Sequence, residues 1–294
     1  MPNTRILIIG GSGFIGAKLA KRLIANNHTV AITYAVHRLD LGTENYQVDL
    51  LADWESLRRC IAEFVPDIVV HCSIPKSESH ANHYRVSVES VEHILPHLDP
   101  KTLLIYFSTN AVFNDGGPHT EDSVQQLRQD RYRVYGETRA QGEQLVLQSW
   151  SNALVIRTDT VNGFDVQGVL NRRLADVVDL LQHGQPIKRF QDRFITPTLV
   201  DNLVEAAAET CSPDFTYRGI LHIAGSQRLT DYEYTCQLAQ YLKVDTQLVE
   251  PDMMSDNPDL SASPRDNSLN VSKAQSLLKT PLLDVTAQFS RLFP

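Results

Sequence analysis

The sequence predicts an α/β fold, a doubly wound parallel sheet with a smaller C-terminal α/β lobe. Strand-like aliphatic runs alternate with amphipathic, helix-like segments, which is the pattern of βαβ units. A glycine-rich turn at residues 10–16 separates the first such strand from the first helix. The length of 294 residues suffices for a core of this kind and a lobe. We expect a dinucleotide-binding domain over 1–160, a mainly substrate-binding lobe over 161–294, and a strand near 219–225 that returns to the first sheet.

The predicted strands are short apolar runs bounded by turn residues. They are Arg5–Ile9, Thr29–Tyr34, Ile68–Cys72, Thr102–Ser108, Ala153–Arg157 and Ile220–Ile223. The predicted helices carry apolar residues at three- and four-residue spacing. They are Phe14–Asn26, Trp54–Phe64, Ala81–His93, Tyr135–Gln148, Leu170–Gln182, Thr198–Thr210 and Asp231–Leu242. The segment Met254–Asn267, rich in Asp, Ser, Pro and Asn, is predicted to be a loop, with a last helix over Ser272–Leu278.

The glycine turn has the spacing Gly10-x-x-Gly13-x-x-Gly16 and directly follows the strand that ends at Ile9. Glycine is needed where a chain turns tightly, where backbone approaches a phosphate and where a helix packs closely on a strand. The amide groups at the start of the helix, together with its dipole, can hold a pyrophosphate. A glycine triplet also occurs at ordinary strand–turn–helix corners. Its position between strand and helix favours dinucleotide binding in a Rossmann-type core.

Composition excludes several classes of protein. The net charge of -8 argues against nucleic acid or an anionic membrane surface as the main partner. Four cysteines are scattered without metal-ligand spacing: Cys60, Cys72, Cys211 and Cys236. His80 and His83 resemble neither a metal pair nor a triad member and are assigned no role. With no membrane-span-like run and no signal-peptide pattern, we predict a soluble, cytoplasmic protein without a metal site.

Further motifs follow the glycine turn in a definite order. They are Asp49-Leu50, Pro66–Ser73, Ser108–Phe113, Ile156–Thr158 with Gly163, Thr196–Thr198 with Asp201, and Gly219–Gly225. In this order and spacing they resemble the motifs of the extended short-chain dehydrogenase/reductase superfamily, and most of all its dTDP-4-dehydrorhamnose reductase branch. Ser108–Phe113, for example, is similar to the S-T-D-Y-V-F stretch of the reductases. The resemblance covers nearly the whole chain.

The resemblance implies a bound nicotinamide dinucleotide. The residues that we assign to the cofactor are Gly10, Gly13, Phe14, Ile15, Gly16, Arg38, Asp49, Leu50, Cys72, Ser73, Ile74, Tyr135 and Arg139. NAD-specific proteins usually carry a carboxylate at the end of the second strand, where this chain has Thr33-Tyr34-Ala35. Arg38 follows and could pair with a 2′-phosphate, although most loop arginines are simply solvated. This favours NADP, with NAD as the other possibility.

The resemblance also implies hydride transfer to a ketone, with Tyr135 as general acid and Thr109 orienting the substrate carbonyl. A nearby cation favours the phenolate form of a tyrosine. In the family a lysine four residues after the tyrosine supplies this cation and also holds the nicotinamide ribose hydroxyls. In this chain Arg139 occupies the place of that lysine.

Arginine at this place leaves three interpretations open. Arginine keeps the charge, but its planar fork is larger and aims its donors differently. Arg139 either performs the work of the lysine, or catalysis has lapsed and the fold only binds. In the third interpretation Tyr135 is an ordinary helix residue and Arg139 a solvated partner of Glu137 or Glu143. We favour an active protein, although Ser87, where the family usually has Asn, slightly strengthens the lapsed alternative.

The substrate is the least constrained prediction. Dehydratases of the family have Asp-Glu directly after the threonine that corresponds to Thr109. This chain has Asn110-Ala111 there, which argues against a dehydratase. The relatives mostly bind nucleotide sugars, whose diphosphate needs cations. The candidates in the lobe are Arg172, Arg173, Lys188, Arg189 and Arg193. The substrate residues that we select are Thr109, Asn110 and Arg193.

The sequence therefore predicts an NAD(P)H-dependent reductase of a 4-keto sugar nucleotide or a related small ketone, with a homodimer as one option. The alternatives are a catalytically lapsed, NADP-binding regulatory or sensor subunit, and a sugar-nucleotide 4-epimerase that retains NAD.

Overall fold

The computed structural model describes residues 3–294, which divide into two compact units. Unit 1 contains the chain up to Thr109 together with Val134–Arg157 and Ala207–Leu221. Unit 2 contains Asn110–Arg133, Thr158–Ala206 and His222–Pro294. The chain thus passes between the units several times, and a division of function at residue 160 stays a prediction.

The strands are numbered in chain order. They are β1 Arg5–Ile9, β2 Thr29–Tyr34, β3 Glu44–Gln47, β4 Ile68–His71, β5 Leu103–Thr109, β6 Ala153–Thr158, β7 Val161–Asn162, β8 Ile187–Phe190, β9 Phe194–Ile195, β10 Thr198–Leu199, β11 Gly219–His222, β12 Leu229–Thr230 and β13 Val249–Asp252. The helices are α1 Phe14–Ala25, α2 Trp54–Phe64, α3 His80–Tyr84, α4 Ser90–Ile94, α5 Arg133–Ser149, α6 Arg172–Gln182, α7 Val200–Thr210, α8 Asp231–Tyr241, α9 Ser272–Leu277 and α10 Val285–Leu292.

Unit 1 is built on a seven-stranded parallel sheet in the order β11-β6-β5-β4-β1-β2-β3, flanked by helices. The central strands are nearly continuous aliphatic runs because helices cover both faces of such a sheet. In β1, Ile6–Ile9 are completely buried. The helix α2 begins where the side chain of Asp53 accepts hydrogen bonds from the amides of Glu55 and Ser56. The predicted α/β fold class is confirmed.

Unit 2 carries three short two-stranded sheets: β10 with β7, β12 with β9, and β13 with β8. Its core is a cluster that α6, α8 and α10 share, in which Leu238 and Val285 are completely buried. A capping box at Thr230 and Glu233 starts α8. The predicted loop over Met254–Asn267 contains two short 3₁₀ turns, Met254–Asp256 and Pro258–Leu260.

The predicted helix over Ala81–His93 is interrupted. Between α3 and α4 the chain forms a π-helical turn over Arg85–Glu89. Such turns are rare and occur frequently at functional sites. Within residues 3–294, no helix is both long and apolar enough to cross a membrane. The same residues contain no group of three or more His, Cys, Asp or Glu side chains that could hold a metal ion.

Candidate active site

The glycine turn joins β1 to α1 in unit 1 and has no room for side chains. Gly10 has a φ of +84°, and a Cβ placed there would lie 2.5 Å from Oγ of Ser73. A Cβ on Gly16 would lie 2.5 Å from the carbonyl oxygen of Gly10. The N-cap residue Gly13 has no side chain to cap α1. Since the first amides of a helix have no partner within it, those of Phe14 and its neighbours Ile15 and Gly16 suit an anion.

Two neighbouring strands hold this turn in place. The hydroxyl of Thr33, near the end of β2, accepts a hydrogen bond from the Gly10 amide at 3.0 Å. The thiol of Cys72, just after β4, donates to the carbonyl oxygens of Ile9 and Gly10 at 3.4 and 3.7 Å. Burial raises the pKa of Cys72 to about 12, so this side chain remains a neutral thiol. Thr33 therefore supports the turn at the point where NAD-specific proteins carry a carboxylate.

The other predicted cofactor residues of unit 1 differ in exposure. Arg38 and Ile74 are exposed, and so is Asp49, whose carboxylate accepts from the amide of Leu51 at 2.9 Å. The side chain of Leu50 belongs to the hydrophobic core. Their contacts with a cofactor stay predictions.

Tyr135 and Arg139 lie one turn apart on α5. Tyr135 is half-buried, whereas Arg139 is only 1% exposed. The Arg139 guanidinium carbon lies 5.7 Å from the ring centroid of Tyr135 and 5.3 Å from that of Tyr106. Its Nη1 donates to the carbonyl oxygen of Phe107 at 3.2 Å, and Nη2 donates to that of Ser73. Arg139 is therefore a fixed cation between the end of β4 and the end of β5.

This burial excludes one of the three interpretations of Arg139. Burial acts to lower the pKa of Arg139, but the neighbouring Tyr106 and Tyr135 outweigh it and raise that pKa, so the side chain remains charged. Glu143 is occupied elsewhere, in an ion pair of 2.6 Å with Arg157 in which both side chains are 1% exposed. The interpretation of Arg139 as a solvated surface residue is wrong.

The π-helical turn is packed tightly against α5. The Tyr106 hydroxyl donates to the carbonyl oxygen of Ser87 at 3.0 Å. A Cβ on Gly142 would lie 2.3 Å from that hydroxyl and 2.4 Å from the Ser87 carbonyl oxygen. Ser87, at the position of the expected Asn, is completely buried. The ring of Tyr106, which lies next to Arg139, is thus held by the backbone of the π-helical turn.

Thr109 is the last residue of β5, and the next residue, Asn110, begins the first segment of unit 2. Thr109 is buried. The side-chain amide of Asn110 donates to Asp159 at 2.8 Å and to the carbonyl oxygen of Asn267 at 3.3 Å. The Asp159 carboxylate also accepts from the Thr196 amide at 2.6 Å, and burial raises its pKa. Asp159 was not among the predicted site residues, although a carboxylate directly after a buried strand is a signal that could have indicated it.

Unit 2 contains a cavity of about 370 Å³ between α6, β8 and the start of α8. The cationic side chains that line it are Arg173, Lys188, Arg189 and Arg193. Arg172, the fifth predicted cation, is not among the lining residues and is 93% exposed beside Asp176. Asn162, at the end of β7, lines the cavity and donates to the hydroxyl of Tyr234 at 3.3 Å.

The cations of the cavity outnumber the two carboxylates that line it, Asp176 and Asp231. Arg193 donates to Asp231 at 2.5 Å. Burial lowers the pKa of Arg189, and the nearby Arg173 and Arg193 lower it further, although Asp231 opposes them. The cavity therefore has an excess of positive charge that an anionic ligand would neutralise.

A glycine turn on a parallel sheet, with a tyrosine and a cation one helical turn apart, defines the extended short-chain dehydrogenase/reductase class. The family model described as the RmlD substrate binding domain matches residues 4–293, and the chain belongs to this family. The resemblance to the dTDP-4-dehydrorhamnose reductase branch is thereby confirmed.

The known proteins similar to the chain include a subunit of an adenosyltransferase and solved reductases. Methionine adenosyltransferase 2 subunit beta from Bos taurus is 26% identical over 292 residues, covering 94% of this chain and 83% of the relative. The solved structure of a hypothetical dTDP-4-dehydrorhamnose reductase from Sulfolobus tokodaii has a TM-score of 0.79 at 24% identity, covering 96% of this chain and 98% of that one. The dTDP-4-dehydrorhamnose reductase of Bacillus anthracis, solved with NADP, has a TM-score of 0.79 at 16% identity and 99% coverage of both chains.

Proposed function

We propose that the protein is an NADP(H)-dependent reductase of a 4-keto sugar nucleotide or a related small ketone. The observation that carries the proposal is the fixed cation Arg139 beside the ring of Tyr135, in the unit that contains the glycine turn. A buried charge of this kind is costly unless it has a partner or a task. The reductase of Bacillus anthracis, solved with NADP, supports the choice of cofactor.

The residues of unit 1 fit a dinucleotide. A side chain at Gly10 would clash with Ser73 and one at Gly16 with the Gly10 carbonyl oxygen, so the turn stays tight. The first amides of α1 can then hold a pyrophosphate. Arg38 is exposed in the segment that follows β2, which suits a 2′-phosphate. When bound, the reduced nicotinamide supplies the hydride. The cofactor residues beyond the glycine turn are Arg38, Asp49, Leu50, Cys72, Ser73, Ile74, Tyr135 and Arg139.

The side chains of unit 1 then have separate tasks in the reduction. The Tyr135 hydroxyl donates its proton to the oxygen of the ketone as hydride reaches the carbon. The hydroxyl of Thr109 donates a hydrogen bond to the same oxygen and orients the carbonyl. Arg139 favours the tyrosinate left after proton transfer, because a nearby cation stabilises the charged form.

The cavity of unit 2 supports a nucleotide sugar as substrate. The diphosphate of the nucleotide sugar would contact Arg189 and Arg193, since guanidinium groups bind phosphate oxygens with paired hydrogen bonds. Asn162 and Tyr234 offer neutral hydrogen-bonding groups beside them. Asn110, which is held by Asp159, is the proposed substrate contact next to Thr109.

A second function, binding without catalysis, has one observation in its favour. Nη1 and Nη2 of Arg139 both donate to backbone carbonyl oxygens, which is what a purely structural arginine does. The relative from Bos taurus, which is 26% identical over 292 residues, is named as a subunit of methionine adenosyltransferase. In this alternative the protein binds NADP and serves as a regulatory or sensor subunit.

The two functions are separated by one titration. Purified protein is mixed with NADPH or NADH while nicotinamide fluorescence is followed, and a panel of 4-keto sugar nucleotides is then added. The reductase predicts tighter binding of NADPH than of NADH and loss of fluorescence with one of the substrates. Binding of NADPH without consumption by any of them would favour the subunit. A 4-epimerase would instead be purified with oxidised NAD already bound.

A further inference from the structure

His83 is a buried histidine in unit 1 that lies beside Tyr135. It belongs to α3 and is 7% exposed. Its imidazole packs edge-on against the Tyr135 ring, with a centroid distance of 5.9 Å and an interplanar angle of 61°. The function proposed above gives this histidine no task.

The hydrogen bonding of His83 determines its tautomer. Nε2 lies 2.7 Å from the carbonyl oxygen of Ser77. A carbonyl oxygen only accepts, so Nε2 carries the hydrogen and donates it. Burial lowers the pKa of His83, Arg139 and His80 lower it further, and only the bond to Ser77 opposes them, so the ring is neutral near pH 7. Nδ1 is therefore an acceptor.

Nδ1 has no hydrogen-bond partner among the described residues, although it is buried. A buried acceptor without a partner costs about 1–3 kcal/mol, so nearly all such groups in folded proteins have one. A partner for this atom is a donor that comes within reach of the His83 ring, which packs against Tyr135. A keto sugar and the nicotinamide ribose both offer hydroxyl donors, and binding of NADPH in the absence of substrate distinguishes them.

We propose that Nδ1 of His83 accepts a hydrogen bond from a hydroxyl of the nicotinamide ribose, which makes His83 a cofactor-binding residue. This inference rests on the proposed function, because it requires the cofactor to bind with its nicotinamide end near Tyr135. Arg139 supplies the positive charge there, while its Nη1 and Nη2 donate to Phe107 and Ser73. His83 supplies the acceptor.

Two substitutions of His83 test the roles of its two ring nitrogens separately. In His83→Gln, the amide can replace Nε2 and keep the bond to Ser77, but the Nδ1 acceptor is lost. In His83→Asn, the shorter amide can replace Nδ1 but not Nε2. We expect His83→Gln to raise the dissociation constant of NADPH about 3- to 10-fold and His83→Asn to change it less, as the loss of one hydrogen bond predicts. A role of His83 that is only structural, through Ser77, predicts the reverse order.

The matched control uses 2′,5′-ADP, which lacks the nicotinamide ribose. Its affinity should be the same for the wild type and both variants, which also shows that the glycine turn is intact. Equal weakening of 2′,5′-ADP and NADPH binding would overturn the assignment of His83. Unchanged NADPH binding by His83→Gln would overturn it as well, and this is the result expected if a water, not the ribose, binds Nδ1. In the wild type, NADP⁺ should move the ¹⁵N resonance of Nδ1 upfield, and an unmoved resonance would count against the bond. If the wild type binds 2′,5′-ADP but not NADPH, or neither, the proposed function fails together with the inference.

Discussion

The cations of the two units differ in what surrounds them. In unit 1, Arg139 is fully buried, and its Nη1 and Nη2 donate to backbone carbonyl oxygens. In unit 2, Arg173 and Lys188 are exposed at the cavity, and Arg189 is only partly buried. A buried cation held in this way acts on the neighbouring tyrosines mainly through its charge, whereas a crowded and accessible group of cations gains free energy when an anion binds. We infer that unit 1 is built for chemistry and unit 2 for recognition.

The largest effect should follow from removing the proton donor of unit 1. We expect Tyr135→Phe to lower kcat by about 10²–10⁴-fold, because a positioned general acid contributes about that much. The dissociation constant of NADPH should stay within a few-fold of the wild type, since the ring remains beside Arg139. Stopped-flow turnover and fluorescence titration measure the two quantities. Unchanged turnover with loss of NADPH binding would refute the catalytic role of Tyr135.

Two substitutions at Arg139 test whether unit 1 needs only a charge. Arg139→Lys keeps the charge, and we expect kcat to be preserved or raised. Arg139→Met removes the charge at similar length, and kcat should fall about 100-fold, as it does when one electrostatic stabiliser of a transition state is lost. The comparison is made at equal occupancy by NADPH. Collapse of activity in both variants would show that the planar fork itself is required.

Recognition in unit 2 is tested by a matched pair of arginines. Arg189 lines the cavity, whereas Arg172 lies outside it and is 93% exposed. Arg189→Gln should raise KM about 10-fold with little change in kcat, because a charge-assisted hydrogen bond to phosphate is worth about 1.5–3 kcal/mol. Arg172→Gln should leave both constants unchanged. Equal effects of the two substitutions would indicate long-range steering by charge rather than a contact in the cavity.

The last effect concerns stability at acidic pH rather than activity. Burial, together with the nearby charge of Arg139, lowers the pKa of His71 to about 3. The unfolded value is about 6.5, so between these two values the unfolded chain binds a proton that folded His71 does not. The free energy of unfolding should therefore fall by up to about 1.4 kcal/mol for each pH unit as the pH is lowered from 6.5 towards 3.

Urea titrations of the wild type and of His71→Asn measure this slope. Folded His71 lies 2.8 Å from the Ser90 hydroxyl and against the Tyr106 ring, so the variant will be less stable at every pH. Its slope should nevertheless be smaller, and an identical slope would assign the pH dependence to other groups.

Local patterns were sufficient for much of unit 1. β1, β2 and α2 have the predicted bounds, because buried aliphatic runs and amphipathic spacing are properties of neighbouring residues. β3 was missed, since its sequence Glu44–Gln47 is polar and only partly buried at the edge of the sheet. The helix α10 was also missed, although Asp284 caps it through the amide of Ala287.

For the candidate site, the sequence determined which residues occur and at what spacing. It placed a cation one helical turn after Tyr135 and a glycine at each tight position of the first turn. It did not determine that Arg139 is buried between the ends of β4 and β5, that Asp159 holds Asn110, or that the ring of His83 lies against that of Tyr135. These contacts join residues that are far apart along the chain. Burial and hydrogen-bond partners depend on what the fold brings together, and only the tertiary structure decides them.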